Sequence, residues 1–295
     1  MVLYQIKFIT LISKGIYIKN KITNIAIGGF DGMHKAHQQL FSRLDTNGAI
    51  AVISTQYANL SPEASRMKYT SFPLFYYELE NIKHLSGEEF INLLNEEFPN
   101  LQKIVVGYDF HFGHKAKCGI ECLKKIFQGK VIVVDEYKIS DISVHSRVIR
   151  EYLRDGNIKI ANKLLGYNYT LQGHHIVGQG LGSKQFVPTI NIDVKDFSIP
   201  QEGIYITKTI LNNIAYESVS FIGHRVSTDG NFAVETHVLE DISSLDIPKV
   251  IEIVFYSKLR DNKKYEVYEE LKKQILIDIK NAKNWFKKRE ISEKC

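Results

Sequence analysis

The apolar pattern changes once along this chain, near residue 155, and that change constrains the fold more than any other feature. Before it, short apolar runs at 25–27, 49–53, 104–106 and 131–134 sit between turn residues. Such runs suit parallel strands buried on both faces. Helical patterns lie between them at 35–44, 86–95 and 118–127, and Ser86 with Glu89 forms a capping box that marks a helix start. Strand and helix in alternation predict right-handed βαβ units and a doubly wound, Rossmann-like sheet, with ligands beyond the carboxyl ends of the strands. From Tyr167 onward the pattern becomes short alternating strands at 170–177, 189–194, 203–210, 218–222, 233–239 and 250–255, which predicts a closed six-stranded antiparallel β-barrel. A long helix at about 265–288 follows, whose Tyr268, Leu271, Ile275, Ile279, Ala282 and Phe286 make one stripe suited to packing on the barrel. Residues 146–165 read as helical with a break at Gly156, so the expected domains are 1–155, of α/β class, and 156–295, mainly β.

A chain of 295 residues is long enough for two such cores. No run approaches the ~18 uncharged residues of a membrane span. Lys7, Lys14, Lys19 and Lys21 interrupt the N-terminus, with no A-x-A-like cleavage site, so a cytoplasmic protein without membrane contact is expected. Cys118, Cys122 and Cys295 include no CxxC pair and read as incidental thiols, supporting neither a disulfide framework nor zinc. The net charge of +5 comes largely from Lys280, Lys283, Lys287, Lys288 and Arg289, read as a solvated helix face rather than a nucleic-acid surface. No obligate protein partner is evident.

After the first strand the chain reads Gly28-Gly29-Phe30-Asp31-Gly32-Met33-His34-Lys35-Ala36-His37. Gly28 and Gly29 allow a sharp turn and close approach to a ligand, and His34 and His37 share one face of the following helix's first turn. This is a candidate seat for ATP phosphates; a βα turn with two solvated histidines remains open. An HxxH pair without a third ligand is a poor metal site. A second loop, Gly107-Tyr108-Asp109-Phe110-His111-Phe112-Gly113, also follows a strand, and Phe110 and Phe112 either wall a flat aromatic ligand or plug the core. Ser146 and Arg150 begin a helix and suit a polyphosphate. In the second half a glycine-rich loop with Gly178, Gly182 and Lys184 leads to Pro188-Thr189-Ile190-Asn191. Thr189 and Asn191 point to one side of a strand, as oxygen ligands for Mg²⁺ bridging nucleotide phosphates would; a polar hairpin is the alternative. Glu235 and His237 share a face of a later strand, where Glu235 is a surface charge or a general base.

The ordered set GxFDGxHxxH, VGxDFxFG, xIRExL, PTxN, VExH and a closing QIxxD helix resembles the prokaryotic bifunctional riboflavin kinase/FMN adenylyltransferase family, often called FAD synthetase, over about residues 24–286. The resemblance implies ATP-dependent phosphorylation of riboflavin to FMN in the barrel. There Glu235 matches the catalytic base and Thr189 and Asn191 the Mg²⁺–ATP site. The glycine-rich loop with Gly178 and Gly182 would cradle phosphates; the usual GRxxGFPTAN reads Gly182-Ser183-Lys184-Gln185-Phe186-Val187-Pro188-Thr189-Ile190-Asn191, with Lys184, one position displaced, in place of the arginine's charge. The resemblance also implies adenylyl transfer from ATP to FMN in the first domain. His34 and His37 match the histidines that stabilise developing charge, Gly28, Gly29, Phe30 and Asp31 stand in the matching GxFDG phosphate loop, and Ser146 and Arg150 match the second phosphate-binding element. Asp109 falls at a position of the family's nucleotide and flavin contacts, beside Phe110 and Phe112 as candidate flavin walls. Ala36 replaces the glycine of the usual HxGH, and His145-Ser146-Arg147 replaces the usual SST. The alternative is therefore a riboflavin kinase with a weakened first domain.

Overall fold

The computed structural model describes residues 19–55, 57–176, 187–227 and 229–294. The chain divides into two compact units, Met1–Ser146 and Arg147–Cys295.

In the first unit, strands β1 (Asn24–Gly28), β2 (Gly48–Ser54), β3 (Leu74–Glu78), β4 (Lys103–Gly107) and β5 (Lys130–Val134) form a parallel sheet in the order β3-β2-β1-β4-β5. Side chains alternate between its faces, so one face buries Ile25, Ile27, Ala51 and Val106, and the other Ala26, Ile50, Val52 and Val105. Helix α1 (Lys35–Phe41) covers the second face through Leu40 and Phe41. After α2 (Leu79–Ile82), helices α3 (Gly87–Glu97) and α4 (Ile120–Ile126) cover the first through Phe90, Leu94 and Leu123. Ser86 and Glu89 close their reciprocal capping box at the start of α3. The short hairpin β6 (Lys138–Ile139) and β7 (Ile142–Ser143) follows β5. The strand order reverses between β1 and β4, so the loops leaving their carboxyl ends flank the switch point where such sheets bind ligands.

Three expectations change. Strand β3, which the sequence did not announce, completes the sheet edge. Helix α1 ends at Phe41 rather than 44. Cys118 and Cys122 are joined as a disulfide, with Cα atoms 5.3 Å apart. The thiol reading placed both on one helix, but α4 begins at Ile120. Cys118 instead pairs with Phe112 through two main-chain hydrogen bonds, of 2.8 and 3.1 Å.

The second unit takes in nearly all of helix α5 (Ser146–Arg154), so the division falls ahead of Gly156. Gly156, with φ of +71°, breaks α5 from α6 (Ile158–Leu165). Six antiparallel strands then close into a barrel: β8 (Thr170–Ile176), β9 (Ile190–Asp193), β10 (Gly203–Leu211), β11 (Ile214–His224), β12 (Phe232–Val238) and β13 (Val250–Arg260), in the order β10-β11-β12-β9-β8-β13. Inside it, five fully buried hydroxyls form a ring. Thr209 donates to Ser218 (2.9 Å) and Ser220 to Thr236 (2.9 Å), while Thr207 meets Ser218 and Ser220 at 2.8 and 2.7 Å and Thr209 meets Thr236 at 2.7 Å. The terminal helix, Tyr268–Lys294, lays Ala282 and Phe286 on Ile206, Val219 and Tyr256 of the barrel's outer face. Tyr268 is exposed and off that stripe. Asp278, buried on the same helix, receives Arg260 Nε and Nη2 and Gln274 Nε2.

Candidate functional sites

The loop after β1 turns at Phe30 (φ +48°), Gly32 (φ +81°) and Met33 (φ +40°), not at Gly28 and Gly29 as expected. Gly28 is small for another reason, since a Cβ there would sit 3.1 Å from the Phe30 ring; a Cβ at Gly29 would make only an ordinary contact, 3.8 Å from Ile53 O. Phe30 is buried edge-on against Phe41 and His37, with ring centroids 5.0 and 5.1 Å apart, which offsets its left-handed backbone. Asp31 spends its carboxylate inside the fold: it accepts from the main-chain N–H groups of Asn59, Leu60 and Ser61. Ser61 Oγ accepts from Gly32 N (2.6 Å), and Ser146 Oγ donates to Asp31 O (2.8 Å). Asp31 and Ser146, both expected to bind phosphate, therefore shape the loop through these bonds.

His34 caps α1, with Nδ1 accepting from His37 N (3.4 Å), and the two imidazoles stack 3.5 Å apart. Burial drives the His37 pKa well below the usual histidine range, and the charges of His34, Arg66 and His145 push it the same way. His37 is therefore neutral near pH 7, a hydrogen-bonding ring rather than a cation.

Beside the loop after β4 opens a cavity of about 570 Å³, lined in part by Tyr108, Phe110, His111, Cys122, Lys124 and Val133. Phe110 stacks on Phe112 with centroids 5.3 Å apart, but only Phe110 lines the cavity, because Phe112 belongs to the core. Asp109 is exposed on the same loop. Arg150 lies on α5, in the second unit.

In the barrel, the β9–β12 register sets Asn191 opposite Glu235. Cross-strand partners share a face, so Thr189 and Asn191 lie beside Glu235 and His237 on the outer side, while Thr236 points inward to the hydroxyl ring. His237 Nδ1 donates to Pro188 O (2.8 Å), fastening the approach to Thr189. Arg225 Nη1 donates to Glu235 Oε1 (3.1 Å), and Asp229 receives Arg225 Nε and Nη2 at 3.0 and 2.9 Å in a bidentate fork. Burial raises the Glu235 pKa above the usual carboxylate range, and Arg225 opposes that rise. Gly178, Gly182 and Lys184 lie outside the described residues. The oxygens of Thr189 and Asn191 are the hard donors that a magnesium ion accepts, and they are few enough to leave room for phosphate oxygens. Arg66 and Arg225 escaped the sequence reading, since a single arginine in a polar stretch carries no periodic signal.

The FAD synthetase family model matches residues 72–148 and the riboflavin kinase (flavokinase) model residues 165–286. A bifunctional riboflavin kinase/FMN adenylyltransferase of Buchnera aphidicola subsp. Acyrthosiphon pisum is 30% identical over 90% of this chain and 94% of its own length. A protein of the same description from Pseudomonas fluorescens is 25% identical over 87% and 91%. Among solved structures, a Streptococcus pneumoniae protein described as a macrolide-efflux protein superposes with a TM-score of 0.76 at 25% identity, covering 92% of this chain and 99% of that one. Among the described residues of this chain, no helix is long and apolar enough to cross a membrane. Two matching family models in order, and similarity to relatives along nearly the whole chain, lead to one conclusion: the chain belongs to the bifunctional riboflavin kinase/FMN adenylyltransferase family.

Proposed function

We propose that the protein makes flavin cofactors in two steps, phosphorylating riboflavin to FMN with ATP and then transferring AMP from a second ATP to FMN, releasing pyrophosphate. The kinase step is assigned to residues 156–295 and the adenylyl transfer to residues 1–155, in the cytoplasm, where ATP is available. The observation that carries the kinase reading is the register of Asn191 opposite Glu235. It sets a candidate base beside candidate metal-binding oxygens on one face. Glu235 takes the proton of the riboflavin 5′-hydroxyl as that oxygen attacks the γ-phosphate. Its raised pKa brings it nearer the working pH, which favours general-base catalysis, and Arg225 keeps the carboxylate ionised and oriented. Thr189 and Asn191 would hold Mg²⁺, which supplies charge neutralisation on the transferred phosphoryl group. In the first unit His34 and His37 face the phosphates of ATP, and the neutral His37 ring stabilises developing charge by hydrogen bonding. The cavity beside Phe110, which sets Phe110, Ile120 and Val133 next to His111, Glu121 and Lys124, is the space proposed for the flavin ring system.

The test supplies riboflavin, ATP and Mg²⁺ and separates the flavins, with both FMN and FAD expected. FMN without FAD would leave a kinase alone, and neither product would overturn the reading. Glu235→Gln should lower FMN formation ~10²-fold while adenylylation of supplied FMN continues, as expected for loss of a general base.

A further inference from the structure

The first unit holds a positive charge where charge is hard to accommodate. Arg66 belongs to the 3-10 segment Glu63–Tyr69 and is 1% exposed. Its guanidinium carbon lies 5.8 Å from the centroid of the Tyr76 ring, and no carboxylate among the described residues forms an ion pair with it. A buried ion ordinarily has a counter-ion and a full set of hydrogen bonds, because little else compensates its desolvation. Here two buried side-chain polar atoms among the described residues have no hydrogen-bond partner, Arg66 Nε and His37 Nδ1. The segment carrying Arg66 is fastened to the β1–α1 loop on both sides. Before it, Asn59, Leu60 and Ser61 donate to Asp31. At its end, Gln38 of α1 donates to Tyr69 O (3.2 Å) as well as to Met33 O (3.0 Å). Asp31, the acid built into this arrangement, is occupied by those N–H groups. The charge on Arg66 also reaches the His37 ring, which it helps to keep neutral. Arg66 also hydrogen-bonds to the Tyr76 hydroxyl, which leaves Nε as its one buried donor without an acceptor. The segment thus holds a buried positive charge with an open N–H beside the unpartnered Nδ1 of His37, as a site for a phosphate group would.

We propose that Arg66 is a phosphate-binding residue of the adenylyl-transfer site, with its Nε–H and the His37 ring awaiting oxygens of a phosphate group of ATP or FMN. The inference rests on the adenylyl-transfer reading above, and the experiment separates the two. Arg66→Met keeps the length and apolar stem of the side chain and removes the charge. Adenylylation of supplied FMN should fall ~10²- to 10³-fold, as when a donor to developing charge is lost. Phosphorylation of riboflavin should stay at the parent rate, and the melting temperature of the ligand-free protein should hold or rise, because a buried charge without a counter-ion has gone. A packing role would lower that temperature. Thermal shifts with inorganic pyrophosphate and with FMN, read without turnover, distinguish the sources. Loss in the variant of the pyrophosphate shift assigns Arg66 to ATP, and loss of the FMN shift assigns it to the flavin phosphate. Parent shifts that persist in Arg66→Met, or a parent that shifts with neither compound, would overturn the inference. A parent that makes no FAD from FMN overturns the adenylyl-transfer reading, while the shifts still decide whether Arg66 binds phosphate. Should Arg66→Met fail to fold, Arg66→Lys gives the same readouts; it keeps the charge without the planar fork, and a loss of about tenfold is expected.

Discussion

At the scale of single residues, His37 links the first site to pH. Its folded-state pKa is depressed while the unfolded chain titrates near the ordinary value of about 6.5, so below that pH the unfolded state binds a proton that the folded state refuses. Stability contributed by the neutral ring is full above pH ~6.5 and is lost as the pH falls from there toward the folded pKa. Melting temperatures from pH 7.5 down to 5 should decline, and His37→Asn should flatten part of that slope; an unchanged slope would remove His37 as its source. The histidine pair, Glu235 and Asn191 were legible in the sequence because each follows a strand or sits on one, where spacing alone sets which side chains share a face. Arg66 was not, since its burial is decided by Asp31 and Gln38, far from it along the chain. Nor were the roles of Asp31 and Ser146, whose oxygens are satisfied by main-chain partners that no local pattern announces.

At the scale of elements, the barrel's hydroxyl ring is a closed polar network inside the cylinder. The two donors fixed by geometry, Thr209 to Ser218 and Ser220 to Thr236, agree with one sense of rotation around all five groups, so each hydroxyl donates once and accepts once. Such a cycle gains from mutual polarisation and tolerates little loss. Thr236→Val preserves shape but leaves Thr209 and Ser220 each short of a partner, so unfolding free energy should fall by about 2 kcal/mol, the penalty expected for unsatisfied buried groups. Urea denaturation with an unchanged m-value checks this. Strand β11 read as 218–222, which takes in Ser218 and Ser220, whereas it runs Ile214–His224; its missed ends are exposed at Ile214, Ala215 and His224, where no buried face imposes alternation. In the first unit the buried parallel strands stood out as aliphatic runs. Strand β3 did not, because Tyr76 and Tyr77 lend it polar atoms whose partners, Glu63 O and Glu97, come from elsewhere in the fold.

At the scale of the whole molecule, two units that differ in class and in family match carry chemistry that shares ATP and FMN in the proposed sequence. The change of pattern near residue 155 was legible because parallel α/β and antiparallel barrel architectures bury side chains with different periods. The barrel is also unevenly fastened. β10 and β11 pair along nine residues each, from Gly203↔Ile222 to Leu211↔Ile214, whereas among the described residues β12 and β9 meet only at Glu235↔Asn191 and Thr236↔Ile190. That short junction is the seam of the cylinder, and the proposed kinase residues straddle it. A nucleotide with its metal held between Thr189, Asn191 and Glu235 would act as a clasp across the seam, so ligand binding and closure of the barrel become one equilibrium. Amide exchange at Ile190 and Asn191 should be faster than along β10 in the free protein and slow selectively when ATP and Mg²⁺ are added. Protection that is uniform and unresponsive would mean that the cylinder stands closed without its substrate.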